Sequence, residues 1–188
     1  TFLNEIIKFI FSQFQSQKGM WPSYVETELL PRLNGFELMM APYTIAHLKL
    51  ALTLKETGIN DFKQRLGVYL TNTLEEGIKT NPSLFDLGLV GAITRESEEA
   101  SRIKHNTPIM VVMGNPPYSG ESFNKGEYAM RLVDKYKFEP GGKVKLQERN
   151  PKWINDDYVK FIAFASDLID KTGVGIVAMI TNNGYLDN

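Results

Sequence analysis

The sequence contains no cysteine, which excludes disulfide bonds and thiolate metal ligands. It has only two histidines, His47 and His105, which are far apart and lack the spacing of a zinc site. No apolar run is long enough to cross a bilayer, and no secretory signal opens the sequence. These absences predict a cytoplasmic globular protein that uses no membrane and, in this segment, no metal.

A strong charge of one sign is also lacking. The net charge is -1, so the chain as a whole would not hold DNA phosphates unaided. Nor does the chain contain a Gly-x-Ser-x-Gly nucleophile elbow or a Gly-x-x-x-x-Gly-Lys phosphate loop. The acidic cluster of Glu96, Glu98 and Glu99 is interpreted as a solvated helix face. The 188 residues, 43% of them hydrophobic, suffice for one domain-sized core.

The most informative feature is the tetrapeptide Asn115-Pro116-Pro117-Tyr118, which follows an apolar run over residues 108–114. Such a run predicts a buried parallel strand that stops at a crevice, where open α/β sheets bind ligands. The Asn115 side-chain oxygen and the Pro116 carbonyl can each accept one hydrogen of a planar amino group, aiming its lone pair at an electrophile. The two prolines hold these acceptors rigid, and Tyr118 offers a flat stacking face. We therefore predict that all four residues are catalytic.

Around this motif, helix and strand patterns alternate, which predicts an α/β fold with a mainly parallel sheet flanked by helices. Strands are predicted at residues 33–38, 68–71, 108–114 and 174–181, the last two of them buried. Helices are predicted at 2–14 (ended by Gly19 and Pro22), 42–58, around 95–104, near 128–136, and from Asp156 or Asp157 to Gly173. We expect residues 1–188 to form a single incomplete domain, in which residues 119–152 are a long loop on the substrate side.

Three residues near the first two strands are candidates for binding a nucleotide-like cofactor. Glu37 ends the strand predicted at 33–38, where doubly wound sheets place an acid that accepts both ribose hydroxyls. Asn72 ends the next strand at the same edge of the sheet; its carboxamide could bond an adenine amine, although asparagine is also common in turns. Phe36, with Met39, could sandwich an adenine ring, although apolar residues at this spacing are more often core.

The run Val-Val-Met-Gly-Asn-Pro-Pro-Tyr, residues 111–118, resembles the catalytic motif of S-adenosylmethionine-dependent amino-methyltransferases. The asparagine variant is most typical of enzymes that methylate adenine N6 in DNA. Similarity along nearly the whole chain extends the resemblance to the methyltransferase region of large single-chain restriction-modification enzymes. It implies S-adenosylmethionine as cofactor, held by Glu37, Asn72 and Phe36, with DNA (a flipped adenine) and the rest of the parent polypeptide as partners. The family's glycine-rich cofactor loop precedes a segment like that beginning at Thr1, so Thr1 is also expected at the cofactor.

The same resemblance implies that the chain is a fragment starting just after that loop. It would be a partial Rossmann-like methyltransferase domain without its first central strand and its final strands. In the family, this first strand lies between those predicted at 33–38 and 108–114. We therefore expect the isolated chain to have little or no activity, and its sheet to close the gap, oligomerise or be partly irregular. Basic residues after the motif are candidates for DNA backbone contact, or else only aid solubility: Lys125, Arg131, Lys135, Lys137, Lys143 and Lys145.

Alternative functions stay open. The amine of cytosine N4 presents similar geometry to the same acceptors. The tetrapeptide also occurs in enzymes that methylate a glutamine amide in protein release factors or a guanine amine in ribosomal RNA. A different possibility is a noncatalytic structural fragment. The long segment after the motif, and the similarity beyond the motif, favour the restriction-modification family.

Overall fold

The computed structural model of this chain describes residues 1–76, 88–117, 122–147 and 153–183. These residues belong to two compact units. The first unit comprises Thr1–Thr73 and Gly77–Ile103, and the second comprises Leu74–Glu76 and Lys104–Asn188. Each unit contains a two-stranded parallel sheet with helices beside it, so the fold is α/β, as predicted.

The helices and strands follow one another in alternation along most of the chain. Up to residue 106 they are α1 Phe2–Gln13, a 3₁₀ turn Lys18–Met20, α2 Trp21–Tyr24, a π-helical segment Val25–Leu29, α3 Leu30–Arg32, β1 Gly35–Glu37, α4 Met40–Glu56, β2 Val68–Leu70 and α5 Leu89–Asn106. Beyond it they are β3 Val111–Gly114, α6 Glu127–Asp134, the 3₁₀ turns Lys135–Lys137 and Trp153–Asn155, α7 Asp157–Thr172 and β4 Ile176–Met179.

The first unit is organised by an apolar core around Trp21. The indole is 1% exposed, lies 5.1 and 5.2 Å from the rings of Phe11 and Phe14, and donates to the Thr57 hydroxyl at 3.0 Å. Pro22 does not end the helical region as predicted: it lies in the first turn of α2, where its missing N–H costs nothing. The core is completed by Ile7, Val25, Leu29, Leu30, Leu50, Leu54, Ile59, Leu66 and Val68.

The sheet of the first unit pairs β1 with β2 in parallel, from Gly35 opposite Val68 to Glu37 opposite Leu70. Side chains cover the other edge of β2. The Val68 carbonyl accepts from Arg65 at 2.9 Å and lies 3.2 Å from the His47 Nε2. The Glu96 carboxylate accepts from the backbone N–H of Leu70 at 3.1 Å. Such cover satisfies edge groups that would otherwise pair with another strand.

The prediction that Glu96 lies on a solvated helix face is therefore wrong. Its side chain is only 17% exposed, because the carboxylate also accepts from Arg65 at 2.5 Å while it reaches the edge of β2. The helix that carries it, α5, begins at Leu89, earlier than predicted, which brings this position into the middle of the helix.

In the second unit, β3 pairs with β4 in parallel, from Val111 opposite Ile176 to Gly114 opposite Met179. These strands were predicted to be buried, and that prediction is wrong: Val111 is 56% and Ile176 is 64% exposed. Each strand has one neighbouring strand among the described residues, and α7 packs on β4. A parallel sheet is buried only when helices cover both of its faces.

Helix α7 has clear signals at both ends, as predicted. Asp156 is the N-cap, and its side chain accepts from the N–H of Tyr158 at 3.4 Å. Gly173 ends the helix with a φ of +85°, a conformation that glycine adopts without strain. The chain then continues into β4, so α7 connects the segment after the motif with the strand that pairs with β3.

All four predicted strands are present, each shortened at one or both ends. They form two separate two-stranded sheets among the described residues, so no strand pairing closes the gap that the resemblance implied between β1 and β3. The described part of the long segment after the motif contains α6 and a short hairpin over residues 137–146. In this hairpin Phe138 bridges Lys145, and Gly141 and Gly142 turn the chain with positive φ.

Candidate functional site

The motif begins directly after β3. The N–H of Ile180 donates to the Gly114 carbonyl at 2.9 Å, so the ladder with β4 runs to the last residue before Asn115. A Cβ at Gly114 would lie 2.9 Å from the Met179 sulfur, and glycine therefore permits the close approach of the two strands. Asn115 and Pro117 are exposed, whereas Pro116 is buried. Tyr118 lies outside the described residues.

This geometry leaves the Asn115 carboxamide available. It makes no hydrogen bond within the described part of the chain, and it stands at the carboxyl end of a parallel strand pair. Pro116, fixed in φ and buried beside it, holds the local backbone in place. A side-chain oxygen and a backbone carbonyl in sequence can accept the two hydrogens of a planar amine.

Glu37 is the last residue of β1, and Asn72 lies two residues beyond the end of β2. Because the two strands pair in parallel, both residues lie at the same edge of the sheet. The N–H of Thr71 donates to the Glu37 carbonyl at 2.8 Å, which extends the pairing to the residue before Asn72. The Glu37 Oε1 accepts from the N–H of Met39 at 3.0 Å. The Oε2 has no protein partner among the described residues, so it can still accept a hydrogen bond from a ligand hydroxyl.

Phe36 precedes this acid in β1, whereas Thr1 precedes α1. The Phe36 ring is half-buried and tilted against Tyr69, with 6.2 Å between the ring centroids. Thr1 is exposed and is the N-cap of α1. Leu3, in the first turn of α1, lies where a Cβ at Gly35 would come within 3.0 Å of its Cδ1, so α1 starts beside β1. Exposed Met39 caps α4 just after the acid.

These residues fit part of a nucleoside-binding site. A carboxylate with a free oxygen, a carboxamide and an aromatic ring at one sheet edge match the groups that ribose and adenine present. All four predicted cofactor residues belong to the first unit, and the predicted catalytic residues belong to the second. The structure thus brings Glu37, Asn72 and Phe36 together within one unit and holds Asn115 and Pro116 in the other.

A buried polar cluster after the motif was missed by the sequence analysis. Asp157 and Lys160, on the first turn of α7, are 3% and 0% exposed and contact Ser122 and Asn124. Burial lowers the pKa of Lys160, and the charge of Asp157 opposes that shift. The signal in the sequence was a pair of opposite charges at i, i+3 in the first turn of the helix, directly before the apolar run over residues 161–165.

A second buried cation, Lys104, lies at the end of α5. Its ammonium donates to the Glu75 carbonyl at 2.9 Å, and burial lowers its pKa to about 8 despite the charge of Glu75. Burial also raises the pKa of Tyr128, on α6, to about 12. All three residues belong to the second unit.

Half of the six predicted DNA-contacting cations have acidic partners. Arg131 pairs with Glu76, Lys135 with Asp170 and Lys137 with Asp134. Lys125 and the hairpin residues Lys143 and Lys145 are exposed and form no ion pair within the described residues.

Two shallow cavities lie away from the predicted site residues. One of about 380 Å³ is lined by residues 58–62 with Pro22, Ser23, Val25 and Glu26, and one of about 210 Å³ by residues 105–108 with Leu168, Lys171 and Thr172. In the parts of the chain that the structure describes, no group of three or more acids and histidines could hold a metal ion. No helix there combines the length and apolarity needed to span a membrane.

Residues 33–188 match the family model described as Eco57I restriction-modification methylase. Comparison with curated protein sequences gives no match. Among solved structures, the chain is similar over its whole length to the ATP-dependent Type ISP restriction-modification enzyme LlaBIII bound to DNA, with a TM-score of 0.71 and 21% identity. It is likewise similar to a nuclease-deletion mutant of the Type ISP enzyme LlaGI in complex with a DNA substrate mimic, with a TM-score of 0.70 and 20% identity.

A third structure, a DrdV-DNA complex, has a TM-score of 0.64 and 26% identity over the whole chain. The chain spans only 12%, 15% and 17% of these three proteins. The likeness to LlaBIII and LlaGI lies in the fold, which is a partial methyltransferase-like α/β arrangement with parallel strands between helices.

Proposed function

Because the chain belongs to the Eco57I restriction-modification methylase family, we propose that it transfers a methyl group from S-adenosylmethionine to the N6 amine of adenine in DNA. It does so as the methyltransferase region of a longer restriction-modification protein. The observation that carries this proposal is the placement of Asn115 and Pro116. They follow a parallel strand directly, the first exposed and without a side-chain partner among the described residues, the second buried.

The chain's residues divide the work of the reaction. S-adenosylmethionine supplies an electrophilic methyl group. The Asn115 side-chain oxygen and the Pro116 carbonyl accept hydrogen bonds from the two N6 hydrogens. These bonds direct the nitrogen lone pair, and the two acceptors stabilise the positive charge that develops on the amine. Tyr118 stacks on the adenine ring, and Pro117 stiffens the backbone between them. The amine loses its proton after attack, so no early general base is needed.

The cofactor is held by the first unit. The Glu37 carboxylate accepts hydrogen bonds from the ribose hydroxyls, and the hydrogen bond from the Met39 N–H orients this carboxylate. The Asn72 carboxamide bonds the adenine amine, while Phe36 and Thr1 line the same end of the sheet. These roles are supported by the common edge that β1 and β2 share.

DNA is the proposed substrate, and the other parts of the parent polypeptide are the proposed partners. The solved structures of similar fold include proteins bound to DNA or to a DNA substrate mimic. The target adenine must leave the base stack before Asn115 can reach its amine, at a cost of a few kcal/mol. Most of the backbone contact comes from other parts of that polypeptide, because the net charge of this chain is only -1.

Lys143 and Lys145 contribute the local share of that contact. Replacing both with glutamine in the whole protein should weaken DNA binding and reduce the slope of log K against log salt by about 2. Lys8 and Lys171, which pair with acids on their own helices, serve as the matched double control. An unchanged slope would show that the hairpin lysines only aid solubility.

The isolated chain should be nearly inactive, because its two sheets are not joined by strand pairing among the described residues. Size-exclusion chromatography and calorimetric titration with S-adenosylmethionine test this. A compact monomer with tight cofactor binding would contradict it.

The product identifies the reaction. The whole protein is incubated with S-adenosylmethionine and mixed-sequence DNA, and methylated nucleosides are measured by mass spectrometry. N6-methyladenine that disappears in Asn115→Ala supports the proposal. N4-methylcytosine would keep the site but change the base. Label on RNA or protein, with none on DNA, would reject the substrate, and no transfer to any acceptor would reject the function.

A further inference from the structure

The buried cluster of Ser122, Asn124, Asp157 and Lys160, hereafter the α7 cluster, lies a short distance along the chain from the motif. Five peptide links separate Pro117 from Ser122, and even a fully extended chain spans only about 18 Å over that length. The upstream end of this stretch is fixed by β3, whose pairing with β4 reaches Gly114. The α7 cluster therefore fixes its downstream end.

The hydrogen bonds within the α7 cluster are numerous and mutually satisfied. Ser122 donates to one Asp157 carboxylate oxygen at 2.6 Å, and the Asn124 side chain donates to the other at 2.9 Å. The Lys160 ammonium donates to the Ser122 hydroxyl and to the Asn124 carbonyl, both at 2.5 Å, and lies 3.8 Å from Asp157. Both charges thus bind residues of the segment after the motif.

Helix α7 contacts the chain at two places, one before β3 and one after the motif. At its last turn the Thr172 hydroxyl donates to the Ile109 carbonyl at 2.9 Å, just before β3. At its first turn the α7 cluster binds the chain just after the motif. The helix has 16 residues, about 24 Å of length, and continues into β4, which pairs with β3. Helix α7 therefore contacts the chain both shortly before β3 and shortly after the motif.

Burial of two charges is a costly way to attach a loop. A buried ion pair often stabilises a protein no more than apolar side chains of the same volume would, and its best-supported benefit is a unique geometry. At this place in the chain, the residues held in a unique geometry are Ser122 and Asn124, which follow the motif closely in sequence.

We propose that the α7 cluster positions the motif: Asp157 and Lys160 fix Ser122 and Asn124, and thereby hold the Asn115 and Pro116 acceptors in register with the target amine. This inference rests on the proposed methyl transfer. The four residues touch neither substrate nor cofactor; they are positioning residues that act through Asn115.

The test uses Ser122→Ala, which removes the hydroxyl shared by both charges and leaves Asp157 and Lys160 in place. In the whole protein we expect kcat for DNA methylation to fall about tenfold, while KM and S-adenosylmethionine affinity change less than twofold. Lys171→Met, which breaks the exposed pair with Asp167 on the same helix, is the matched control and should leave kcat unchanged.

Coupling to Asn115 distinguishes positioning from a general structural role. Added to Asn115→Ala, the change Ser122→Ala should lower the remaining rate by less than twofold, because the acceptor that it positions is already gone. A tenfold further loss in the Asn115→Ala background would overturn the inference, as would an unchanged kcat in Ser122→Ala alone.

A second readout does not need activity. Amide hydrogen exchange over residues 115–124 should accelerate at least tenfold in Ser122→Ala, and exchange in β1 and β2 should not change. Unchanged exchange over 115–124 would overturn the inference even if the protein methylates DNA. Conversely, faster exchange in a protein that methylates nothing would reject the proposed function while retaining the anchoring by α7.

Discussion

The two units bury polar side chains of different kinds. Among the described residues, the first unit buries neutral ones and the second buries charged ones; they are Asn4, Thr53 and Thr71 in the first, and Lys104, Asp156, Asp157 and Lys160 in the second. Neutral groups are satisfied by one or two hydrogen bonds, as when Thr53 donates to Asn4 at 2.5 Å. Charges cost far more to bury and need several partners. Burying these charges therefore lowers the folding stability of the second unit, which carries the motif, in a way that has no counterpart in the first unit.

The apolar core of the first unit predicts the largest stability effect. Trp21→Ala should lower the free energy of unfolding by about 3–5 kcal/mol, because it empties a site in which the indole is only 1% exposed. The other tryptophan, Trp153, is 52% exposed in the second unit, and its alanine variant is the matched control, with an expected loss below about 1 kcal/mol. Urea denaturation followed by circular dichroism measures both. Equal losses would contradict the described packing.

The charged side predicts a pH effect. The Lys104 pKa is lowered from 10.5 to about 8, so between these values the unfolded state binds more protons and stability rises with pH. Relative to Lys104→Met, the wild-type protein should gain about 2 kcal/mol of unfolding free energy from pH 7 to pH 10. Denaturation of both proteins at the two values measures this. Parallel pH profiles would show that Lys104 is not buried as a charge.

The covered edge of β2 predicts the smallest effect. Glu96→Ala removes the acceptor for the Leu70 N–H and for Arg65, and should lower the free energy of unfolding by about 1 kcal/mol. Glu98, exposed on the same helix, gives the control Glu98→Ala with no measurable loss. If the two variants were equally stable, the carboxylate would not contribute to the strand edge.

The sequence allowed the prediction of all four strands and most helices, because apolar periodicity and glycine punctuation are local signals. The ends of α7 followed from Asp156 and Gly173 for the same reason. The exposure of β3 and β4 was not predictable in this way. An apolar strand reads as buried whether or not the layers that would cover it are present.

The candidate site was predictable only where single residues end strands. Glu37 and Asn72 share a sheet edge because β1 and β2 are parallel. The strand–helix–strand order of the sequence was enough to predict this parallel arrangement. The α7 cluster was missed, since Ser122 and Lys160 are 38 residues apart and their hydrogen bond exists only in the folded chain. Glu96 was misread for the same reason, its partner Arg65 being 31 residues away.

The central claim is that Asn115 serves the reaction and not the fold. Its most direct test is the single-turnover rate of methyl transfer by the whole protein carrying Asn115→Ala, with Asn106→Ala, another exposed asparagine of the second unit, as control. We predict a loss of about 100-fold or more for Asn115→Ala, with unchanged cofactor affinity and thermal stability, and no loss for the control. A wild-type rate in Asn115→Ala would contradict it.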